Sequence, residues 1–255
     1  MAISGLLSYR ALFNWATPSM FLGTLLAAPV TQMIFFTMLG QELGIADSKF
    51  YVVGNAVFVA SVAGLFGGTM SVANERRYKT LSLTILSPRP KWLLFGARAI
   101  PYIANGCLTS LFTLTIGVVI FRLDFAFSDV VLVVLNVCAA STSAAFFGLM
   151  LGAIGLRFRD VFMISNIAQI SLLFFSGAQV PASLMPQWAA AVGNYLPLTH
   201  AIDSARRAAV GAELGVVLSG TLVEILLACS FALVASILLK VFEVEARKSA
   251  SLDLD

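Results

Sequence analysis

Six stretches of this chain run for roughly twenty residues or more without a lysine or arginine: Thr17–Met38, Tyr51–Ala73, Ala99–Phe121, Val130–Leu156, Val161–Gln179 and Val216–Leu239. An α-helix rises about 1.5 Å per residue, so runs of this length are long enough to cross the hydrocarbon layer of a bilayer. They are too apolar to be covered in water. Hydrophobic residues make up 59% of the 255 and charged residues only 11%, with a mean hydropathy of +0.93, against about 25% charged in soluble domains. The solvent for this surface is lipid. The chain reads as an all-α, polytopic membrane protein with six transmembrane helices.

The cations orient the spans. With both termini in the cytoplasm, Arg10, Arg76, Arg77, Lys79, Arg89, Lys91, Arg98, Arg157, Arg159, Lys240, Arg247 and Lys248 lie inside. Lys49, Arg122, Arg206 and Arg207 lie outside. Twelve against four agrees with the positive-inside rule. The opening residues carry one basic residue and no long apolar core, so they read as an interfacial helix over 1–16 rather than a secretory signal. The expected layout is one transmembrane domain, 1–255. After the interfacial helix come five spans within 17–179, an outer hairpin over 180–212, a last span over 216–240 and a cytoplasmic tail over 241–255.

The hairpin follows from its prolines. Pro181, Pro186 and Pro197 leave only ten uninterrupted residues between the last two, too few to cross. Two short helices that dip into the outer leaflet and return fit better. Irregular backbone at that depth is tolerated only where protein or a water-filled cavity surrounds it, so the segment belongs beside a path or vestibule.

The loop between the second and third spans is longer and greasier than a connection requires. It reads "ANERRYKTLSLTILSPRPKW" from Ala73 to Trp92. Asn74 suits an N-cap, Glu75 suits the first turn, and Tyr78, Leu81, Ile85 and Leu86 share one helical face. Ser87 precedes Pro88, where a helix stops, giving an amphipathic cytoplasmic helix over 74–87. Arg76, Arg77 and Lys79 lie towards the other side. Such a helix either lies on anionic lipid or docks in the groove of a soluble partner.

At this point the residues resemble a family. "NERRYKTLSLTILSPRPKWLLFGARAI" is similar to the signature of ATP-binding-cassette exporter permeases of the second type, the ABC-2 type, and "VPASLMPQWAAAVGNYLPLTHAIDSARR" resembles their outer re-entrant hairpin. The sequence departs at Thr80-Leu81-Ser82, where many relatives have glycine before the threonine. The resemblance implies a transmembrane subunit that dimerises, with a like or unlike chain, and binds two cytoplasmic ATP-binding subunits. The loop helix is then its coupling helix, with Glu75, Tyr78, Leu81 and Ile85 facing the ATPase. Pro186, Trp188, Pro197 and Arg206 of the hairpin then border the exit. The implied activity is multidrug-type efflux of an amphiphilic drug, antibiotic, lipid or lipid-linked product across the cell (inner or plasma) membrane. Membrane lipid is a further partner, and nucleic acid is not one.

Catalytic chemistry is hard to assemble from the remaining residues. The chain has no GxxxxGK[ST] phosphate loop, so ATP hydrolysis is expected on a separate chain. His200, the sole histidine, reads as a polar cap in the hairpin, without metal or acid–base partners at useful spacing. Cys107, Cys138 and Cys229 sit singly in apolar runs and read as small buried hydrophobes. Gly64 and Gly68, and Gly148 and Gly152, are spaced for close helix packing. Phe146, Phe147, Phe174 and Phe175 read as packed or lipid-facing before they read as lining a path. Glu224 is the acid with access to the hydrocarbon. Because Ile225–Phe242 nearly spans alone, the outer interface is its other expected place, with Arg206 or Arg207 as a partner. The competing classes are an ATP-independent secondary transporter and a membrane-embedded enzyme, which would want paired intramembrane charges or a His/Asp/Glu cluster.

Overall fold

The computed structural model describes residues 23, 26–78, 91–155 and 161–249, which form eight α-helices and no strand. These are α1 (Ala28–Glu42), α2 (Ser48–Arg77), α3 (Lys91–Phe121), α4 (Phe127–Gly155), α5 (Val161–Phe175), α6 (Gln187–Gly193), α7 (Thr199–Ala209) and α8 (Leu214–Ser249). Among the described residues, four segments are long and apolar enough to cross a membrane: Ser48–Glu75, Leu94–Phe121, Phe127–Gly155 and Leu214–Phe242. Each contains a run expected to span from sequence, apart from one or two residues at the ends. α5 is a shorter apolar helix, and α1 carries the second half of the expected first span. The interfacial helix expected over 1–16 lies outside the described residues.

α2 is the buried centre of the bundle, with 78% of its most apolar window inside the protein. It packs mainly on α4 and α3. Its seam with α4 is made of small residues. A methyl group on Gly64 would strike the backbone carbonyl of Ser141, one on Gly68 that of Ala145, and one on Gly148 that of Leu65. The two glycine pairs spaced four apart therefore lie against each other's helices. Where lipid removes the hydrophobic drive for association, this close backbone approach supplies the dispersion contacts that hold helices together. α8 is the opposite case. Leu218, Leu222, Ile225, Leu233 and Ile237 form an outward stripe of exposed apolar side chains, the surface expected against acyl chains.

Between α5 and α8 the chain turns through a 3₁₀ segment, Ala182–Leu184, and the two short helices α6 and α7. This hairpin shares one end of the bundle with the α1–α2 and α3–α4 connections. Lys49 Nζ donates to the Ala209 carbonyl at 3.3 Å and lies 4.8 Å from the Phe125 ring centroid.

The connection between α2 and α3 corrects one expectation. Asn74 does not cap a new helix. α2 continues unbroken to Arg77, and the Tyr78 amide still donates to the Asn74 carbonyl at 2.9 Å. Nothing between Ala73 and Arg77 breaks a helix, and extending one costs less than nucleating another. Glu75 therefore sits in the last turn of α2. The remainder of the helix expected over 74–87, from Lys79 on, lies outside the described residues. At the other end of the chain, α8 runs to Ser249, through much of the expected tail.

Candidate transport site

A cavity of about 360 Å³ opens at the middle of α2, walled by α1, α2, α3 and α5. Phe58, Val62 and Phe66 supply its α2 wall, Tyr102, Asn105 and Thr109 its α3 wall, and Gln32 and Gln169 face it from α1 and α5. The lining is mostly apolar, with a few carboxamide and hydroxyl groups. Among the described residues that line it, none is charged.

Towards the hairpin, polar contacts become dense. Glu224 lies in the third turn of α8 and is fully buried within the protein. Its carboxylate accepts from the Leu198 amide at 2.9 Å, from the Ala201 amide at 3.2 Å and from the Ser143 hydroxyl of α4. The α7 N-cap, Leu198, has no side chain that can accept, so an acid from another helix satisfies the orphan N–H groups there. The partial positive charge of the helix N-terminus favours the anion. Leu198 is held at φ 88°, a left-handed conformation unusual for a bulky residue, and is wholly buried. One turn before Glu224, Thr221 donates to Asn136 Oδ1 of α4 at 2.9 Å.

Arg206, in the last turn of α7, does not pair with Glu224. Its Nη1 and Nη2 donate to the Gly177 and Ala178 carbonyls, both at 2.8 Å, and its Nε donates to the Phe50 carbonyl at 3.1 Å. The guanidinium carbon also lies 3.3 Å from the Phe50 ring centroid. The fork of donors thus joins α7 to the start of α2 and to the segment after α5, a task that suits Arg better than Lys. Arg207 pairs with Asp203 on its own helix at 2.8 Å. Asn55 and Gln179 exchange bonds between α2 and the hairpin, with Gln179 Nε2 to Asn55 Oδ1 at 2.7 Å. A second cavity of about 370 Å³ lies within the hairpin, lined among others by Phe50, Phe175, His200, Asp203 and Arg206.

Arg206 lines the hairpin cavity, whereas Pro186 starts α6, its carbonyl accepting from the Ala189 and Ala190 amides. Trp188 is 65% exposed and packs edge-on against Phe175, with ring centroids 5.9 Å apart. Pro197 precedes the strained Leu198. His200 meets the Asn194 carbonyl at 3.1 Å, the polar hairpin role expected of it. At the opposite end of the bundle, Glu75 forms an ion pair with Arg98 of α3 and Tyr78 is exposed, while Leu81 and Ile85 lie outside the described residues. Phe147 is buried against Phe231 and Phe174 is exposed, so neither lines the mid-span cavity. Cys138 and Cys229 are exposed, not buried. The sulfurs of Cys107 and Cys138 lie 3.6 Å apart.

Sequence reasoning missed Gln32, Asn55, Asn105, Gln169 and Gln179. They carried a usable signal: carboxamides inside apolar runs are costly in lipid and turn towards protein or a cavity.

A family model described as ABC-2 type transporter matches residues 3–210. A probable multidrug ABC transporter permease, YbhR, of Escherichia coli strain K12 is 25% identical over 158 residues, which is 62% of this chain and 43% of that protein. Its counterpart in Escherichia coli O157:H7 aligns with the same identity and coverage. The chain therefore matches under half the length of these curated relatives.

Proposed function

Given that this chain belongs to the ABC-2 type transporter family, we propose that it is the transmembrane permease subunit of an ATP-driven exporter. It carries an amphiphilic substrate, such as a drug, antibiotic, lipid or lipid-linked product, out of the cytoplasm or the inner leaflet. In this reading it works in the cell membrane as a dimer with two cytoplasmic ATP-binding subunits. It has six spans, both termini inside, and the α6–α7 hairpin dipping into the outer leaflet.

The observation that carries the reading is the family match, which takes in both cavities and the loop at 78–90. The geometry around that loop supports it. The loop connects α2 to α3, and these two helices wall the mid-span cavity. The Glu75–Arg98 ion pair ties their loop-side ends together. A displacement of the loop by a nucleotide-bound partner would therefore reach both walls at once. Leu81 and Ile85 are the residues proposed to seat in the partner's groove.

The test is co-purification with the ATP-binding subunit and substrate-stimulated ATP hydrolysis. Removing the Leu81 side chain deletes buried apolar area worth about 1.5–3 kcal/mol. Leu81→Ala is then expected to weaken association by about ten- to a hundredfold, while Lys79→Ala changes little because exposed ion pairs contribute little. The reverse ranking, with Lys79 dominant and salt-sensitive, would mean that the loop lies on lipid. Export that proceeds without any ATP-binding subunit would sink the exporter reading.

A further inference from the structure

We propose that the mid-span cavity between α1, α2, α3 and α5 is a binding site for an uncharged, planar amphiphile that carries a hydrogen-bond-accepting oxygen. That this ligand is the transported cargo rests on the exporter reading above; its binding does not.

The ligand class follows from the lining. Gln32 faces the cavity, and its Nε2 is buried with no hydrogen-bond acceptor among the described residues. An orphan amide donor in a low-dielectric setting is costly, and a ligand carbonyl, ether or hydroxyl oxygen brought beside it relieves that cost. Asn105 and Gln169 place further carboxamides on the same space. Phe58, Phe66 and Tyr102 offer rings against which a flat ring system can pack. With no charged side chain among the described lining residues, an ionic ligand would stand unpaired inside the membrane. A lipid acyl chain would fill the volume but offer nothing to Gln32. The volume, about 360 Å³, falls within the range of drug-sized ligand pockets.

The experiment uses the purified full chain in lipid nanodiscs, without any ATP-binding subunit. Nile red is the probe, an uncharged fused-ring dye with a carbonyl oxygen, and its fluorescence in empty nanodiscs is subtracted. Nile blue is the competitor; it has a closely related ring system and carries a positive charge in place of the carbonyl. A saturable Nile red signal that Nile blue does not displace is expected. Gln32→Leu, nearly equal in volume, is expected to weaken that binding three- to tenfold, the scale of one neutral hydrogen bond. Ala63→Phe, which puts a ring into the cavity, is expected to abolish it. Equal displacement by Nile blue would overturn the uncharged class. No saturable signal above empty nanodiscs, or unchanged binding in Gln32→Leu, would overturn the site even if Ala63→Phe fails to fold. The exporter reading fails separately: variant-sensitive binding without nucleotide-driven export of Nile red from cells would overturn that reading alone. Export without variant-sensitive binding would overturn the cavity alone.

Discussion

At the scale of single residues, the most consequential side chain is Glu224. It substitutes for a cap that α7 lacks, and does so from a different helix. Glu224→Ala leaves the Leu198 and Ala201 amides without an acceptor, at about 1–3 kcal/mol for each buried group so orphaned. The expected result is a melting temperature several degrees lower in detergent. Glu224→Gln keeps an acceptor oxygen and is expected to lose less. Thermal unfolding followed by intrinsic fluorescence checks this, and equal melting of all three proteins would remove the capping role. The acid was legible in the sequence as an intramembrane candidate, but its surroundings were not. Ile225–Phe242 is almost long enough to span alone, so nothing local decides whether the helix begins before or after Glu224. The decision is tertiary: α4 brings Ser143 and α7 brings two free amides. The same holds for Arg206, whose three carbonyl partners lie 28, 29 and 156 positions away in the chain.

At the scale of elements, length and apolarity alone placed four of the expected spans, because a bilayer imposes a minimum that few other structures share. Their ends were harder to read. α3 begins at Lys91, eight residues before the expected run at Ala99, because a helix continues past the hydrocarbon wherever no residue stops it. The four-residue glycine spacing was visible, but its partner surface was not, since the two pairs lie some eighty residues apart and meet only when α2 packs on α4. Contact with backbone cannot be relieved by a rotamer change. Gly148→Ala is therefore expected to destabilise by about 1–3 kcal/mol, as overpacked cores do. Gly215→Ala, with open space where its methyl group would lie, is expected to be neutral or slightly stabilising. Unfolding of both variants in mixed micelles compares them, and equal stability would mean that the seam adjusts by helix translation. The mid-span cavity was the least legible feature. Its polar residues are spread over α1, α3 and α5, and only Tyr102, Asn105 and Thr109 share a helical spacing, so the packed bundle alone gathers the set.

At the scale of the whole molecule, the hairpin, the α1–α2 turn and the α3–α4 turn occupy one end, and the Glu75–Arg98 pair the other. If the six-span topology is right, cysteine at Gln187 or Asn194 reacts with a membrane-impermeant thiol reagent added outside, and cysteine at Lys79 reacts only in inverted vesicles. Labelling of Gln187 only from the cytoplasmic face would require a different number of crossings. Native Cys107, Cys138 and Cys229 are replaced first, so that the introduced thiol alone is read. The anchoring of α7 has a mechanical consequence. Its first turn is fastened to α8 and α4 through Glu224, and its last turn to α2 through Arg206 and Lys49. An eleven-residue helix, about 16 Å long, thus acts as a crossbar. Three of the longest spans cannot splay at that end without snapping a buried fastening, so opening there must swing α2, α4 and α8 as one rigid frame, with the end of α5 held to it through Arg206.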